Sequence, residues 1–187
     1  MSSIANAIVA AAQAAGIDPK LALEVANRES GLNQNARGAA GEIGVFQLLP
    51  STAASLGVDP SDVNRNIEGG VRYLAQLLSR YGDPAAALAA YNWGPDRVDA
   101  DLAAHGSAWF SFIPSSTQSY VTSILANVQT QYTASIGPIP LPGGGPSSFR
   151  TGISAEMPPA PPPGMSVWTK MAIAVGVIFG LSLLLSD

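Results

Sequence analysis

Hydrophobic and polar positions along this chain fall into short stripes of helical spacing, each ended abruptly, and the period-two alternation of a strand is nearly absent. The first stretch, "MSSIANAIVAAAQAAG", reads as a helix of the mature protein, because no Lys or Arg precedes its apolar run as a secretory signal would require. Asp18-Pro19 has the chemistry of an N-cap followed by proline at the first helical position, and Gly31 stops that helix after Ser30. Asn66 is a candidate cap for a helix whose apolar stripe is Val71, Leu74, Leu78 and Tyr81, closed by Gly82. Asp83-Pro84 opens another, carrying Leu88 and Tyr91 before Gly94. Ser115 or Ser116 begins a last one, with Val121, Ile124, Leu125 and Val128 on one face. The pattern predicts an all-α head over residues 1–136.

The pattern changes after Gly137. Residues 137–165, "GPIPLPGGGPSSFRTGISAEMPPAPPPGM", hold nine of the fifteen prolines, which reads as an extended, flexible Pro/Gly-rich linker. From Met171 to Leu185 no charge appears, and apolar character reaches back through Trp168 and Val167 past Lys170. Counted from Val167, the run approaches the roughly 20 residues that a bilayer core requires. Trp168 suits a membrane interface and Lys170 can snorkel. Residues 166–187 are therefore expected to be a single transmembrane helix, against the alternative of a buried core helix.

Composition narrows the partners. Charged residues are only 12% of the chain and the net charge is −4, which argues against nucleic acid, whose phosphates call for clustered Lys and Arg. With no cysteine, disulfides, thiolate zinc sites and a Cys nucleophile are excluded. The stretch "DVNRNIE" opens like a calcium loop, but Ile67 stands where the turn needs glycine, so a helix cap is expected there and no metal or other cofactor. His105, the one histidine, has no evident ligand partners and is expected to be structural or solvated.

Three stretches carry candidate chemistry. Glu29 falls in the last turn of the helix begun at Asp18, where unpaired carbonyls and apolar neighbours both disfavour an ionised carboxylate. That placement suits a general acid near neutral pH. "GEIGVFQLLPSTAASLG" offers Gly41 and Gly44, which allow close backbone approach to a ligand, and the hydrogen-bonding side chain of Gln47. "ALAAYNWGPDRV" puts Tyr91, Asn92 and Trp93 at a helix end, an aromatic surface with polar tips suited to sugar rings.

In this order the stretches resemble the lytic transglycosylase domain of the goose-type lysozyme-like superfamily. Its pattern is Glu-Ser, then Gly-x-x-Gln in a glycine-rich loop, then Ala-Tyr-Asn-x-Gly. Here these are Glu29-Ser30, Gly44-Val45-Phe46-Gln47 and Ala90-Tyr91-Asn92-Trp93-Gly94. "NIEGGVRYLAQLL" and "TQSYVTSIL" resemble the family too, with Tyr120 at its late tyrosine, so the likeness covers about residues 15–130. It implies a lysozyme-like fold and cleavage of the β-1,4 bond between N-acetylmuramic acid and N-acetylglucosamine, with a 1,6-anhydro product. It implies Glu29 as the catalytic acid and then base. Tyr91 would orient Glu29, a role Tyr120 shares, and Ser30, Gly44, Phe46, Gln47 and Asn92 would line the sugar site. Phe46 replaces the family's usual Met, Gly38 its usual Ser, and Glu42 a small residue. Glu42 is either a solvated loop charge or a base that activates water, which would make the protein a muramidase.

The expected partners are peptidoglycan strands, a membrane through the C-terminal helix, and other membrane proteins of a virion. A missing export signal and a C-terminal anchor fit a phage protein held in an internal virion membrane that opens the host wall during genome delivery. The alternatives are a bacterial inner-membrane transglycosylase of a secretion or conjugation system, and a non-catalytic peptidoglycan-binding protein of the same fold.

Overall fold

The structure is a computed structural model and describes residues 3–136. The predicted linker 137–165 and membrane span 166–187 lie outside the described residues. Among the described residues no helix is long and apolar enough to cross a membrane.

Seven α-helices follow one another: α1 (Ser3–Ala14), α2 (Pro19–Ser30), α3 (Pro50–Leu56), α4 (Val63–Tyr81), α5 (Pro84–Trp93), α6 (Pro95–His105) and α7 (Ser115–Ile136). A 3-10 turn spans Gly106–Ser111, and no strand occurs among the described residues, only isolated bridges pairing Ile43 with Arg37 and with Leu48. Compact packing divides the chain into Met1–Val128 and Gln129–Asp187; of the second unit, the described part is the last two turns of α7.

Local chemistry sets most helix ends. Asp18 accepts the Lys20 N–H at 2.9 Å and Asp83 the Ala85 N–H at 3.0 Å, each just before a proline whose missing N–H costs nothing at a first helical position. Gly31, Gly57 and Gly82 close α2, α3 and α4 in the left-handed conformation, at φ of 63°, 67° and 62°. One expectation fails here: α4 begins four residues earlier than predicted, capped by Asp62, which accepts the Arg65 N–H at 2.9 Å. Asn66 is not a cap but a buried side chain inside that helix. Tyr81 likewise leaves the buried stripe; it is half-exposed and donates to the Pro95 carbonyl and the Asp99 carboxylate.

The interior is built around α5, where Pro84 through Ala90 are all buried. Its run of alanines lets the backbones of α4 and α6 approach closely, since small side chains leave no ridge to clear. Ile8, Leu21, Leu74, Leu88, Ile124 and Leu125 complete the core. Gly69 and Gly70 would ordinarily weaken a helix by about 1 kcal/mol each. Here they form a slot: a Cβ on Gly70 would stand 2.2 Å from the Phe46 ring, and one on Gly69 2.8 Å from Val58. Burying the Phe46 ring, worth roughly 2–3 kcal/mol, offsets that cost and pins the loop between α2 and α3 onto α4.

Candidate active site

Glu29 is the penultimate residue of α2, half-buried, and its Oε1 accepts a 2.6 Å hydrogen bond from the Tyr120 hydroxyl of α7, 91 residues away. Burial pushes the Glu29 carboxyl up from the ordinary 4.5 to about 7. The Tyr120 bond pulls against that shift, the Glu42 charge adds to it, and Arg28 opposes it. Of the two causes expected from sequence, burial leads. A carboxyl half-protonated near neutrality can give up a proton and take one back, which is the property an acid–base catalyst needs. Burial, and then the nearby Glu29, hold the Tyr120 hydroxyl well above the usual tyrosine range, so it remains a donor.

The second tyrosine behaves differently. Tyr91 donates not to Glu29 but to the Phe46 carbonyl, at 2.8 Å. Burial first, and Glu29 second, raise its hydroxyl well above the ordinary value, so it lies within electrostatic reach of the acid while holding the loop. The expected orienting bond to Glu29 therefore comes from Tyr120, and Tyr91 is a clamp on the loop.

Several other residues expected to touch sugars turn out to build the wall. Phe46 is fully buried, so its side chain cannot face a ligand; an apolar ring on a glycine slot has more to gain inside. Ser30 donates to the Val45 carbonyl at 2.7 Å and accepts the Asn33 N–H at 3.1 Å, stapling the loop to the end of α2. Gly44, at φ 80°, is buried where a Cβ would stand 2.5 Å from Asn66 Nδ2 and 2.8 Å from Gln34 Oε1. Its freedom serves close packing rather than approach of a ligand.

Gln47 and Asn92 remain accessible as hydrogen-bonding groups. Gln47 is partly exposed at φ 46°, an uncommon conformation for a residue with a Cβ, and its Nε2 donates to the Gly44 carbonyl at 2.8 Å. That bond ties the amide to the loop's own backbone. Asn92 is exposed, and its Oδ1 accepts from Thr117 Oγ1 at 3.0 Å, which leaves its amide N–H groups to donate. Trp93 follows, with the Arg97 guanidinium 5.8 Å over its ring.

Three supports were not picked out from sequence. Buried Asn66 accepts the Phe46 N–H at 2.9 Å and donates to the Ile43 and Pro60 carbonyls at 2.8 and 3.0 Å, satisfying two backbone groups of the loop before α3 and one of the connection after it. Its position four residues before Gly70 and eight before Leu74, on the buried stripe of α4, was the available signal. Tyr73 sets its ring 5.3 Å from that of Tyr91, tilted by 50°. Thr117 holds Asn92. The "DVNRNIE" stretch is helical from Val63, and His105 lies 3.7 Å from Asp101 and stacked on Phe112. A separate groove of about 580 Å³ runs between α1 and α4, lined by Ala11, Ala15, Val71 and Ala75 with Glu68 and Arg72 at its rim. It holds none of the residues above and no acid–base pair, so the chemistry is assigned to Glu29.

Residues 6–110 match the family described as the Transglycosylase SLT domain. The chain belongs to that family. A transglycosylase of Enterobacteria phage PRD1 is 34% identical over 139 residues, which cover 74% of this chain and 47% of the relative, so the chain spans about half the length of that relative. Among solved structures, the 70 kDa soluble lytic transglycosylase of Escherichia coli aligns with a TM-score of 0.63 and 27% identity, over 71% of this chain and 24% of that one. An inactive mutant of the lytic transglycosylase Slt from Pseudomonas aeruginosa aligns at 0.61 and 26%, over 70% and 24%. The lysozyme-like helical head expected from the sequence is thus an SLT-domain fold.

Proposed function

We propose that this SLT-domain protein is a peptidoglycan lytic transglycosylase. The observation that carries the reading is Glu29: a carboxyl raised to about 7 by burial, on the end of α2, with Tyr120 fixing one oxygen. The protonated carboxyl donates to the glycosidic oxygen between N-acetylmuramic acid and N-acetylglucosamine as that C–O bond breaks. Positive charge builds on the anomeric carbon, where the substrate's own acetamido group stabilises it. The same carboxylate then takes the proton from the 6-hydroxyl of the muramic residue, whose oxygen bonds to the anomeric carbon and closes the 1,6-anhydro ring. One group thus acts as acid and then base, without the second carboxylate that most glycosidases use. Gln47 and Asn92 offer hydrogen bonds to the sugar rims. The Pseudomonas aeruginosa relative is described as inactive when a glutamate becomes glutamine, which supports an essential glutamate as the acid.

Digestion of purified peptidoglycan by the full chain, read by mass spectrometry, tests this. Anhydro-muramic fragments are expected, and Glu29→Gln should abolish them. Fragments carrying an added water would make the protein a muramidase; clearing by wild type and Glu29→Gln alike would remove Glu29 from the role. Glycan capture without cleavage by either form would leave a binding protein.

The phage relative supports a narrower setting, in which the protein is carried by a virion and opens the host wall as the genome passes in. The apolar run Met171–Leu185 supplies an anchor for that setting, in an internal virion membrane or a bacterial inner membrane. Alkaline washing of membranes holding the full chain checks the anchor: retention in the pellet is expected, and release into the wash would eliminate it.

A further inference from the structure

Two threonines of α7 direct their hydroxyls differently. Thr122 donates to the Gln118 carbonyl at 2.9 Å, four residues back in its own helix, the usual outlet for a threonine inside a helix. For Thr117 the corresponding carbonyl is that of Ile113, which takes the Gln118 Nε2 at 2.9 Å. The Thr117 hydroxyl crosses to α5 instead and donates to Asn92 Oδ1 at 3.0 Å. Thr117 is 2% exposed, so water does not compete for its hydroxyl, whereas Asn92 is exposed. An amide carries one acceptor oxygen and two N–H donors. With Oδ1 turned in to the buried hydroxyl, and no protein partner on Nδ2 among the described residues, Asn92 presents donors to the solvent.

Thr117 and Tyr120 stand three positions apart on α7, and therefore side by side on one face with about 5–6 Å between their Cβ atoms. Tyr120 is buried as well, and its hydroxyl fixes Glu29 at 2.6 Å. One turn of α7 thus holds both the acid of α2 and the amide of α5. Each of the two is the penultimate residue of its helix, so each is delivered by a rigid element and locked by a hydroxyl of α7. We propose that Thr117 is a positioning residue for glycan binding. It locks the Asn92 amide with its N–H groups outward, beside the acid, so that the site takes a sugar oxygen that accepts hydrogen bonds. The role of Glu29 as that acid is the transglycosylase reading, on which the proposal rests. Without the Thr117 hydroxyl the exposed amide is free to turn about its last torsion, and a sugar meets oxygen or nitrogen at the same place. Thr117 touches no sugar and moves no proton; it acts through Asn92. Its loss is therefore one of binding, which raises KM and leaves kcat in place.

Two measurements on the full chain test this: kcat and KM for anhydro product released from soluble peptidoglycan strands, and the Kd of the same strands in a Glu29→Gln background. Thr117→Val, which keeps the shape and removes the hydroxyl, should raise KM and Kd about fivefold with kcat within about twofold, the size of one lost hydrogen bond. Thr117→Ser, which keeps the hydroxyl, should restore both. Asn92→Asp still accepts from Thr117 but has no N–H, so it should bind at least as weakly as Asn92→Ala. Thr117→Val should add nothing to Asn92→Ala. Wild-type KM in Thr117→Val, equal losses in Thr117→Val and Thr117→Ser, or a further loss in the Asn92→Ala background overturns the proposal. So does wild-type binding by Asn92→Asp, or a fall in kcat alone, which would put Thr117 behind the acid rather than the amide. The two readings fail separately. The expected Kd series with no anhydro product from wild type defeats only the transglycosylase reading. Anhydro product with a flat Kd series defeats only the role of Thr117. Neither binding nor product from any form overturns both.

Discussion

The two halves of the loop between α2 and α3 look alike in composition, yet they are held in opposite ways. From Gly44 to Leu48 local bonds are joined by anchors that reach into the body of the protein: Asn66 takes the Phe46 N–H, Tyr91 the Phe46 carbonyl, Ser30 the Val45 carbonyl, and the Phe46 ring fills the Gly69-Gly70 slot. From Gly38 to Glu42 the bonds are local, main chain to main chain and Glu42 to Ala40. The comparison teaches that one half is a wall tied to the body of the protein and the other a rim held by its own backbone. Disturbing the wall should cost more stability than disturbing the rim.

The largest effect expected is on the reaction itself, and it anchors the comparison. Glu29→Gln should lower the rate of anhydro-product release by about 10³-fold or more, the upper part of the range for a lost general acid and base. Circular dichroism should show the fold unchanged.

The wall is next. Asn66→Ala strips an acceptor from one backbone N–H and donors from two carbonyls, so unfolding in urea should show a loss of about 3 kcal/mol. Gly70→Ala should cost about as much, because its Cβ and the Phe46 ring cannot share the space. If either variant unfolds like wild type, the wall is not held as described here.

Glu29 also imposes a cost on folding whose sign can be worked out. Its carboxyl lies near 7 in the folded protein and near 4.5 when unfolded, so the folded state binds the proton more tightly. Below pH 4.5 both states are protonated and no penalty exists. Stability should fall as pH rises from 4.5 to 7, and stay low above that. Glu29→Gln removes the penalty, so it should be more stable than wild type at pH 8 by up to about 3 kcal/mol and nearly equal to it at pH 4. Denaturant titrations at the two pH values make the measurement.

The smallest effect separates orientation from charge. Tyr120→Phe deletes the bond that lowers the Glu29 carboxyl, so the alkaline limb should move up. The rate should fall by about tenfold through lost orientation of the acid. A limb that stays in place or moves down would show that the tyrosine bond does not stabilise the carboxylate form of Glu29.

Much of the architecture was legible in the chain because the signals are local. Asp18-Pro19, Asp83-Pro84 and the stops at Gly31 and Gly82 act within four residues of the helix ends they define, so no distant contact is needed to read them. The same locality located Glu29 in the last turn of α2. Asp62 and Asn66 mark where local reading stops. Both are cap-forming residues four positions apart, and only the packing of a loop against α4 decided that Asn66 belongs inside. Which tyrosine meets the acid was likewise a tertiary decision, since Tyr120 and Glu29 are 91 residues apart and Tyr91 and Phe46 are 45 apart. Gly38 with Glu42 and Gly70 with Phe46 follow the same rule: a glycine is read as a turn until the structure shows the side chain that occupies its missing Cβ. Sequence alone determined where helices begin and end and which carboxyl stands at a helix terminus, because those depend on neighbours in the chain. Tertiary structure decided which side chains stay accessible and which hold the wall, because burial and hydrogen bonding depend on neighbours in space.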